Sequence, residues 1–337
     1  MLLEVRDLTK RFTVSNLGLV GSGVRTVYAV NGVSFDLAEG ETLGLAGESG
    51  CGKTTTGLCV VQLIKPDKGQ VLLDGVDLTQ LKGKALRQQR RKFQIVFQDP
   101  LSSLNPRWSV RTVIAEPMVN YLNLNQAELN NRVSDLLHSV GLPSGYAGKM
   151  PHQLSGGERQ RVSIARSLAL QPKMVMCDEA VSALDVSVQA QILNLFKELQ
   201  QRFGLSYLFI SHNLSVLRHL SHRLGIMYLG KIVEMAETAD LFAHPLHPYT
   251  HSLLASIPRP DPQTERTREP VSVKGELSDI EGGLPPGCLF HPRCPYAEAL
   301  CREEEPLLRE IASGHTVACH FPLEAQVEEA PATDYVE

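Results

Sequence analysis

Along roughly the first 230 positions, apolar residues come in two forms: short unbroken runs that suit buried strands, and longer stretches with helical spacing. Thr42-Leu43-Gly44-Leu45-Ala46 is such a run and predicts a strand covered on both faces. It leads into a glycine-rich turn and a helix predicted from about Lys53 to Ile64. That helix should stop before Lys65-Pro66, because the residue preceding a proline is pushed out of the α region. Lys173-Met174-Val175-Met176-Cys177 predicts a second buried strand, and Ser206-Tyr207-Leu208-Phe209-Ile210 a third that ends in Ser211-His212. Between them, residues from about 100 to 165 are mostly helical in pattern and interrupt the sheet. Strand and helix alternating in this way predict an α/β protein with a largely parallel sheet.

After about Glu234 the pattern changes. His, Pro and Arg become frequent, and Ile257-Pro258-Arg259-Pro260-Asp261-Pro262 reads as a stiff extended linker. From about Glu324 the chain is acidic with no basic residue, which predicts disorder. The expected organisation is therefore a large domain over 1–234, an extension over 235–323 and an acidic tail over 324–337. No internal repeat is visible.

Composition narrows the class. Of 337 residues, 43% are hydrophobic and 21% charged, enough apolar material for a full core. The net charge of −4 is spread with both signs interspersed, so no basic stripe supports nucleic-acid binding. Met-Leu-Leu-Glu-Val-Arg-Asp is not a signal-peptide start, and no apolar run approaches the ~18 residues of a spanning helix. Work at a membrane would be that of a peripheral subunit.

The seven cysteines are unevenly placed. Cys51, Cys59 and Cys177 are scattered and read as core or loop thiols, whereas Cys288, Cys294, Cys301 and Cys319 cluster near the C-terminus. In a cytosolic protein such a cluster points to metal ligation rather than disulfides. Its spacing, C-x5-C-x6-C-x17-C, lacks a close C-x-x-C pair, which weakens a zinc site. Three readings stay open: a four-thiolate iron–sulfur cluster, zinc, or buried free thiols.

Gly47-Glu48-Ser49-Gly50-Cys51-Gly52-Lys53-Thr54 matches the phosphate-loop pattern G-x-x-x-x-G-K-[ST], between a predicted strand and a predicted helix. Its glycines let successive N–H groups face the phosphates, and the helix N-terminus, with Thr55 next in line, adds its positive end. Lys53 supplies charge to the outer phosphates, and Thr54 offers a hydroxyl to Mg²⁺. Asp178, at the end of a buried strand, can hold that ion through water, and Glu179 can orient or deprotonate an attacking water. Asp-Glu after a strand is otherwise an ordinary solvated turn; the phosphate loop is what makes it chemistry.

Leu154-Ser155-Gly156-Gly157-Glu158, followed by Arg159-Gln160-Arg161, resembles the signature motif of the ABC ATPases. The resemblance implies a P-loop NTPase fold: a RecA-like core with an inserted helical subdomain and an antiparallel β subdomain, here with a small Cys-rich C-terminal extension. It implies that Gln98 approaches Mg²⁺ and the water, that Asp185 in Ser182-Ala183-Leu184-Asp185 communicates across a dimer, and that His212 contacts the γ-phosphate. Phe12 would stack on adenine, with Tyr28 as the alternative. Ser155, Gly156, Gly157 and Glu158 would cap ATP bound to Gly47–Thr54 of a second ATPase subunit, identical or related. Ala180 stands where the pattern often has Pro, which alters the turn and leaves Glu179 available.

His244-Pro245-Leu246-His247-Pro248-Tyr249-Thr250, Gly287-Cys288-Leu289-Phe290-His291-Pro292-Arg293-Cys294-Pro295 and His315-Thr316-Val317-Ala318-Cys319 look like the extension of oligopeptide and dipeptide transporter ATPases. Members of that subfamily carry a [4Fe–4S] cluster, which favours the first reading of the four cysteines. His244, His247 and His251 are expected as helix-surface or turn residues rather than ligands. The implied function is ATP-driven peptide import at the cytoplasmic face of the membrane, with two permeases and an extracytoplasmic solute-binding protein. Nickel, glutathione and some sugar importers use similar subunits. Pro100-Leu101-Ser102-Ser103-Leu104-Asn105-Pro106-Arg107-Trp108 would face the permease, with Trp108 an anchor there or a core residue. Two rivals remain: a soluble ABC ATPase acting on DNA or ribosomes, for which the chain lacks a second cassette, long coiled coils and basic arms, and a regulatory ATPase with a redox-sensing module.

Overall fold

Strands sort into two sheets in the computed structural model, which describes residues 1–17, 22–99, 103–257 and 284–323. The first sheet is antiparallel. It pairs β1 (Leu3–Leu17) with β2 (Ser22–Leu37) on one side and with β4 (Lys68–Leu73) on the other, and β4 in turn pairs β5 (Val76–Asp77).

The second sheet has eight strands. Five run parallel: β6 (Phe93–Val96), β7 (Met174–Asp178), β8 (Ser206–Ile210), β3 (Thr42–Ala46) and β9 (Arg223–Tyr228), in that spatial order. Every residue of β3, β7 and β8 is buried, which is why their sequences are apolar except at an end rather than alternating. Parallel pairing brings their carboxyl ends to one edge: Leu45 lies opposite Ile210, and Asp178 opposite the same residue from the other side. In such sheets ligands bind outside the carboxyl ends of the strands. A shared core ties the two sheets together, with Leu3, Val5 and Val71 of the first packed among Leu43, Leu45, Met174 and Met227 of the second.

Helix α1 (Lys53–Val60) stops four residues short of the expected end at Ile64. The chain turns at Gln62, whose φ is 52°, and the N–H groups of Leu63 and Ile64 both donate to the carbonyl of Leu58. This turn closes the helix before the proline at 66 can. After α2 (Gly83–Gln89), helices α3 (Val110–Tyr121), α4 (Gln126–Ser139) and α5 (Gly156–Leu168) form a layer whose inner residues include Ile114, Met118, Val133, Leu137 and Ala165. Two further helices, α6 (Val186–Phe203) and α7 (Leu214–Leu220), follow β7 and β8.

Strand β10 (Lys231–Glu237) is antiparallel to β9 and runs straight through residue 234. The far end of the chain returns to it. β12 (His315–Val317) pairs β10 with Glu234 opposite Val317, and β11 (Arg309–Ala312) completes the sheet. Between them lie α8 (Thr238–Ala243), α9 (Pro248–Ala255) and α10 (Ala299–Glu303). The extension thus adds strands to the core sheet instead of hanging from a tether. A fully buried carboxylate fastens it: Glu234 accepts from the N–H groups of Leu246 (2.7 Å) and His247 (2.9 Å) and from His315 Nε2 (2.8 Å), while His315 Nδ1 meets Asp240 at 2.7 Å. A buried carboxylate persists when both of its oxygens are hydrogen-bonded in this way. The proposed linker beyond Ile257 and the tail over 324–337 lie outside the described residues. Among the described residues no helix is long and apolar enough to cross a membrane.

Candidate functional site

The loop from Gly47 to Gly52 leaves β3 and wraps the N-terminus of α1. Gly52 has a φ of 108°, and a Cβ there would sit 2.0 Å from the carbonyl oxygen of Ala29, so only glycine fits between the loop and β2. Gly230 closes the other side by donating to the carbonyl of Cys51 at 2.8 Å. Lys53 is buried and its ammonium donates to the carbonyls of Gly47 (2.7 Å) and Glu48 (2.9 Å). Thr54 and Ser49 are exposed on the open side, and Thr55 half-buried. Burial raises the pKa of the Cys51 thiol, with Lys53 opposing, so this side chain is a packed neutral group.

Three strand ends place the acidic chemistry beside the loop. The hydroxyl of Thr54 donates to Asp178 Oδ1 at 2.9 Å. Asp178 is 7% exposed, and burial raises its pKa, opposed by the Thr54 hydrogen bond and by Lys53. A hydroxyl and a desolvated carboxylate side by side suit a hard cation with oxygen ligands. Next to it the carboxylate of Glu179 is held from both sides. Gln98 Nε2 donates to one oxygen at 3.1 Å, and His212 Nδ1 meets the other at 2.9 Å. Gln98 follows β6, Glu179 follows β7 and His212 follows β8, so adjacency in the sheet assembles a trio scattered over more than a hundred positions of sequence. Glu179 sits in the left-handed region with φ 47°, fixed by its N–H to the carbonyl of Ile210 and by Ser182 on its own carbonyl. A non-glycine residue there costs about 1–2 kcal/mol and persists only where surroundings enforce it.

The Ser155–Glu158 segment forms the N-terminus of α5. Ser155 caps it: its hydroxyl accepts from the N–H of Glu158 (3.3 Å), and the Glu158 carboxylate accepts from the N–H of Ser155 (2.7 Å). Tyr146 donates to the other Glu158 oxygen at 2.7 Å, which together with the Ser155 contact holds that carboxyl below its usual range. The acid is engaged in shaping the helix start. Gly157 must lack a side chain because a Cβ would lie 2.5 Å from Val188, whereas at Gly156 the nearest atom would be 3.5 Å away. Ser155 and Asp185 are exposed, the latter at the N-cap position of α6. Phe12 lies on β1, 39% exposed, opposite Val27, and Tyr28 is one residue further along β2 beside Arg11. Trp108 is 39% exposed, and the Pro100–Ser102 part of its segment lies outside the described residues.

In the extension, Cys288, Cys294, Cys301 and Cys319 line one small cavity together with His247, His291 and Phe290. None of the seven cysteines is in a disulfide. Burial pushes the Cys319 thiol up to about 12 and raises those of Cys288 and Cys294. In number and type these donors fit a four-thiolate group. Yet among the described residues no three His, Cys, Asp or Glu side chains are disposed to hold one metal ion. His247, expected on a surface or turn, is fully buried: it caps α9, its Nδ1 accepting from the N–H of Tyr249 at 3.0 Å.

Two partners of the phosphate loop escaped the sequence reading. Arg293 makes a two-pronged ion pair with the carboxylate of Glu48, at 2.8 and 3.0 Å, and the Tyr249 hydroxyl accepts from the N–H of Glu48 at 2.9 Å. Burial works against the Arg293 charge, but hydrogen bonds to Glu48 and Tyr228 outweigh it and raise its pKa. The only signal in sequence is an arginine placed between two cysteines, and nothing local names Glu48 as its partner.

Comparison with known proteins agrees with this architecture. The ABC transporter family profile matches residues 30–182, and the profile for the oligopeptide/dipeptide transporter C-terminal region matches 233–301. An oligopeptide transport ATP-binding protein of Bacillus subtilis is 49% identical, over 95% of this chain and 97% of its own length. A probable peptide ABC transporter ATP-binding protein of Sinorhizobium fredii is 48% identical over 95% of this chain and 89% of its own. Among solved structures, a dimeric ATP-binding cassette in a post-hydrolysis state with ADP and Pi superposes with a TM-score of 0.63 at 27% identity, covering 70% of this chain and 99% of that one. With 49% identity to such a relative over 95% of its length and both profiles matched, the chain belongs to the ATP-binding subunits of ABC transporters, in the branch that carries the oligopeptide/dipeptide C-terminal region.

Proposed function

We propose that this chain is the ATP-hydrolysing motor of a peptide importer, working peripherally at the cytoplasmic face of a membrane with two permease subunits and an extracytoplasmic solute-binding protein. The observation that carries the reading is the match to peptide-transport ATPases over nearly the whole chain, extension included. In this reading, residues 1–234 form the ATPase domain with its helical insertion, and 235–323 the subfamily extension.

Lys53 and the N–H groups of Gly50–Thr55 hold the phosphates of ATP, and Phe12, with Tyr28 as alternative, stacks on the base. Thr54 and Asp178, with Gln98 near, would hold Mg²⁺, which when bound neutralises charge on the phosphate oxygens. Glu179 takes the proton of the attacking water or orients it, fixed in place by Gln98 and His212. Ser155, Gly156 and Gly157 present a helix N-terminus to the γ-phosphate held by a second ATPase, with Glu158 shaping that helix end and Asp185 at the dimer surface. The four extension cysteines, free thiols that line one common cavity, would hold a [4Fe–4S] cluster and supply it with four thiolate ligands.

One preparation tests the whole. Tagged protein purified from gently solubilised membranes without oxygen should bring two permeases and a second ATPase. It should also contain about four irons and four sulfides per extension, with visible absorption. A colourless, iron-free preparation removes the cluster alone. Recovery with ribosomes or nucleic acid, or without permeases, removes the importer reading.

A further inference from the structure

Glu48 places a carboxylate inside a loop whose work is to hold a polyanion. Left unpaired, that charge would oppose every phosphate the loop receives, and in a partly buried site the opposition is poorly screened. The extension answers it at two points. Arg293, whose side chain is 9% exposed, grips both carboxylate oxygens, and the Tyr249 hydroxyl takes the backbone N–H of the same residue.

Neither group is free to wander. Tyr249 is fully buried and packs edge-on against Tyr228, ring centres 4.8 Å apart, and both contact Phe290. Arg293 follows Phe290 in a tight turn in which the N–H groups of Arg293 and Cys294 both donate to the Phe290 carbonyl at 3.0 Å. Its guanidinium lies 5.8 Å from the ring centre of Tyr228 and 6.0 Å from that of Phe290. A planar fork on a rigid mount suits two-oxygen recognition, which a lysine cannot reproduce.

We propose that Arg293 is a positioning residue for nucleotide: by neutralising and orienting Glu48, with Tyr249 fixing its backbone, it makes the C-terminal extension part of the ATP site. The proposal rests on the reading of Gly47–Thr54 as that site. None of Gln98, Glu179 or His212 is touched, so the effect belongs in affinity and not in the chemical step.

ATP affinity and steady-state hydrolysis of the full-length protein provide the test, with thermal melting as a fold control. Arg293→Ala should raise the ATP Kd and KM about ten-fold, with kcat at saturating ATP within about two-fold. Arg293→Lys should recover only part of the loss. The double variant Glu48→Gln/Arg293→Ala should regain most of the affinity, because the uncompensated charge is gone. Should Arg293→Ala fail to fold, Tyr249→Phe, which keeps the ring and removes the hydroxyl, should still raise KM several-fold at unchanged kcat. An Arg293→Ala protein with unaltered KM overturns the proposal. So does a double variant as weak as the single one, which would reduce Arg293 to a packing role. Wild-type protein that binds no ATP, or a Lys53→Ala variant that binds it normally, overturns instead the nucleotide reading beneath it.

Discussion

Glu179 shows how much of this site is built at the level of one residue. Its backbone is held in a conformation that a non-glycine residue avoids, and its two oxygens are claimed by Gln98 and His212. A carboxylate so fixed, beside a buried Asp178, suits the proposed role of acting on a water. Glu179→Gln keeps the shape and an acceptor oxygen but gives up the proposed base. At saturating ATP we expect phosphate release to fall about 10²–10³-fold while the Kd for ATP stays within about three-fold. Turnover above a tenth of the wild-type rate would remove Glu179 from this role. The residues of this site differ in how openly the sequence declared them. Gly47–Thr54 is legible because phosphate binding imposes a contiguous pattern, and Asp178-Glu179 draws its reading from that loop rather than from its own two residues. Gln98 and His212 carry no local signature and needed the family resemblance to be noticed. Arg293 and Tyr249 stayed hidden because their contact with Glu48 spans more than 200 positions of chain and depends on how the extension docks.

Elements were legible where burial was complete. β3 and β8 fall where unbroken apolar runs predicted them, because a strand covered on both faces leaves no polar alternation. The extension was harder, since β11 and β12 are short and β11 is wholly exposed, giving no periodicity to read. Within it, α9 is capped by a buried histidine that makes a pH prediction. Burial lowers the pKa of His247 to about 4, against partial opposition from Glu234. In the unfolded chain it titrates near 6.5. Between those values the unfolded state binds the extra proton, so this residue costs stability as pH falls from about 6.5 towards 4. The loss reaches at most about 3 kcal/mol from the size of the shift. His315 acts with opposite sign. Although burial lowers its pKa, Glu234 and Asp240 raise it on balance, so its contribution is full below about 6.5 and fades as pH rises through its folded value. Hydrogen exchange at the amides of α9, followed from pH 7 to 4, should show protection falling with acidity. His247→Asn keeps a capping acceptor and should flatten that slope. An unchanged slope in the variant would assign the acid sensitivity to other groups.

At the scale of the whole molecule, the exposed start of α5 remains to be explained. Ser155 and Glu158 spend their side chains on one another, Tyr146 adds a third tie, and Gly157 lets the helix sit close on Val188. So much fixing for a helix end that faces outward suits an anion arriving from elsewhere, since the first N–H groups of a helix have no acceptor within it. A related cassette of the same fold was solved as a dimer bound to ADP and Pi. If two copies sandwich ATP between the loop of one and α5 of the other, blocking hydrolysis should make the nucleotide act as glue. Glu179→Gln protein at tens of micromolar should therefore run as a dimer by light scattering with ATP and as a monomer with ADP. Ser155→Arg, which fills the open helix end without touching Gly47–Thr54, should abolish the ATP-dependent dimer. Its own ATP affinity should stay within about three-fold of the parent. A dimer that survives Ser155→Arg would place the interface elsewhere. A monomer under all conditions would overturn pairing between identical copies and leave a related subunit as the partner for this surface.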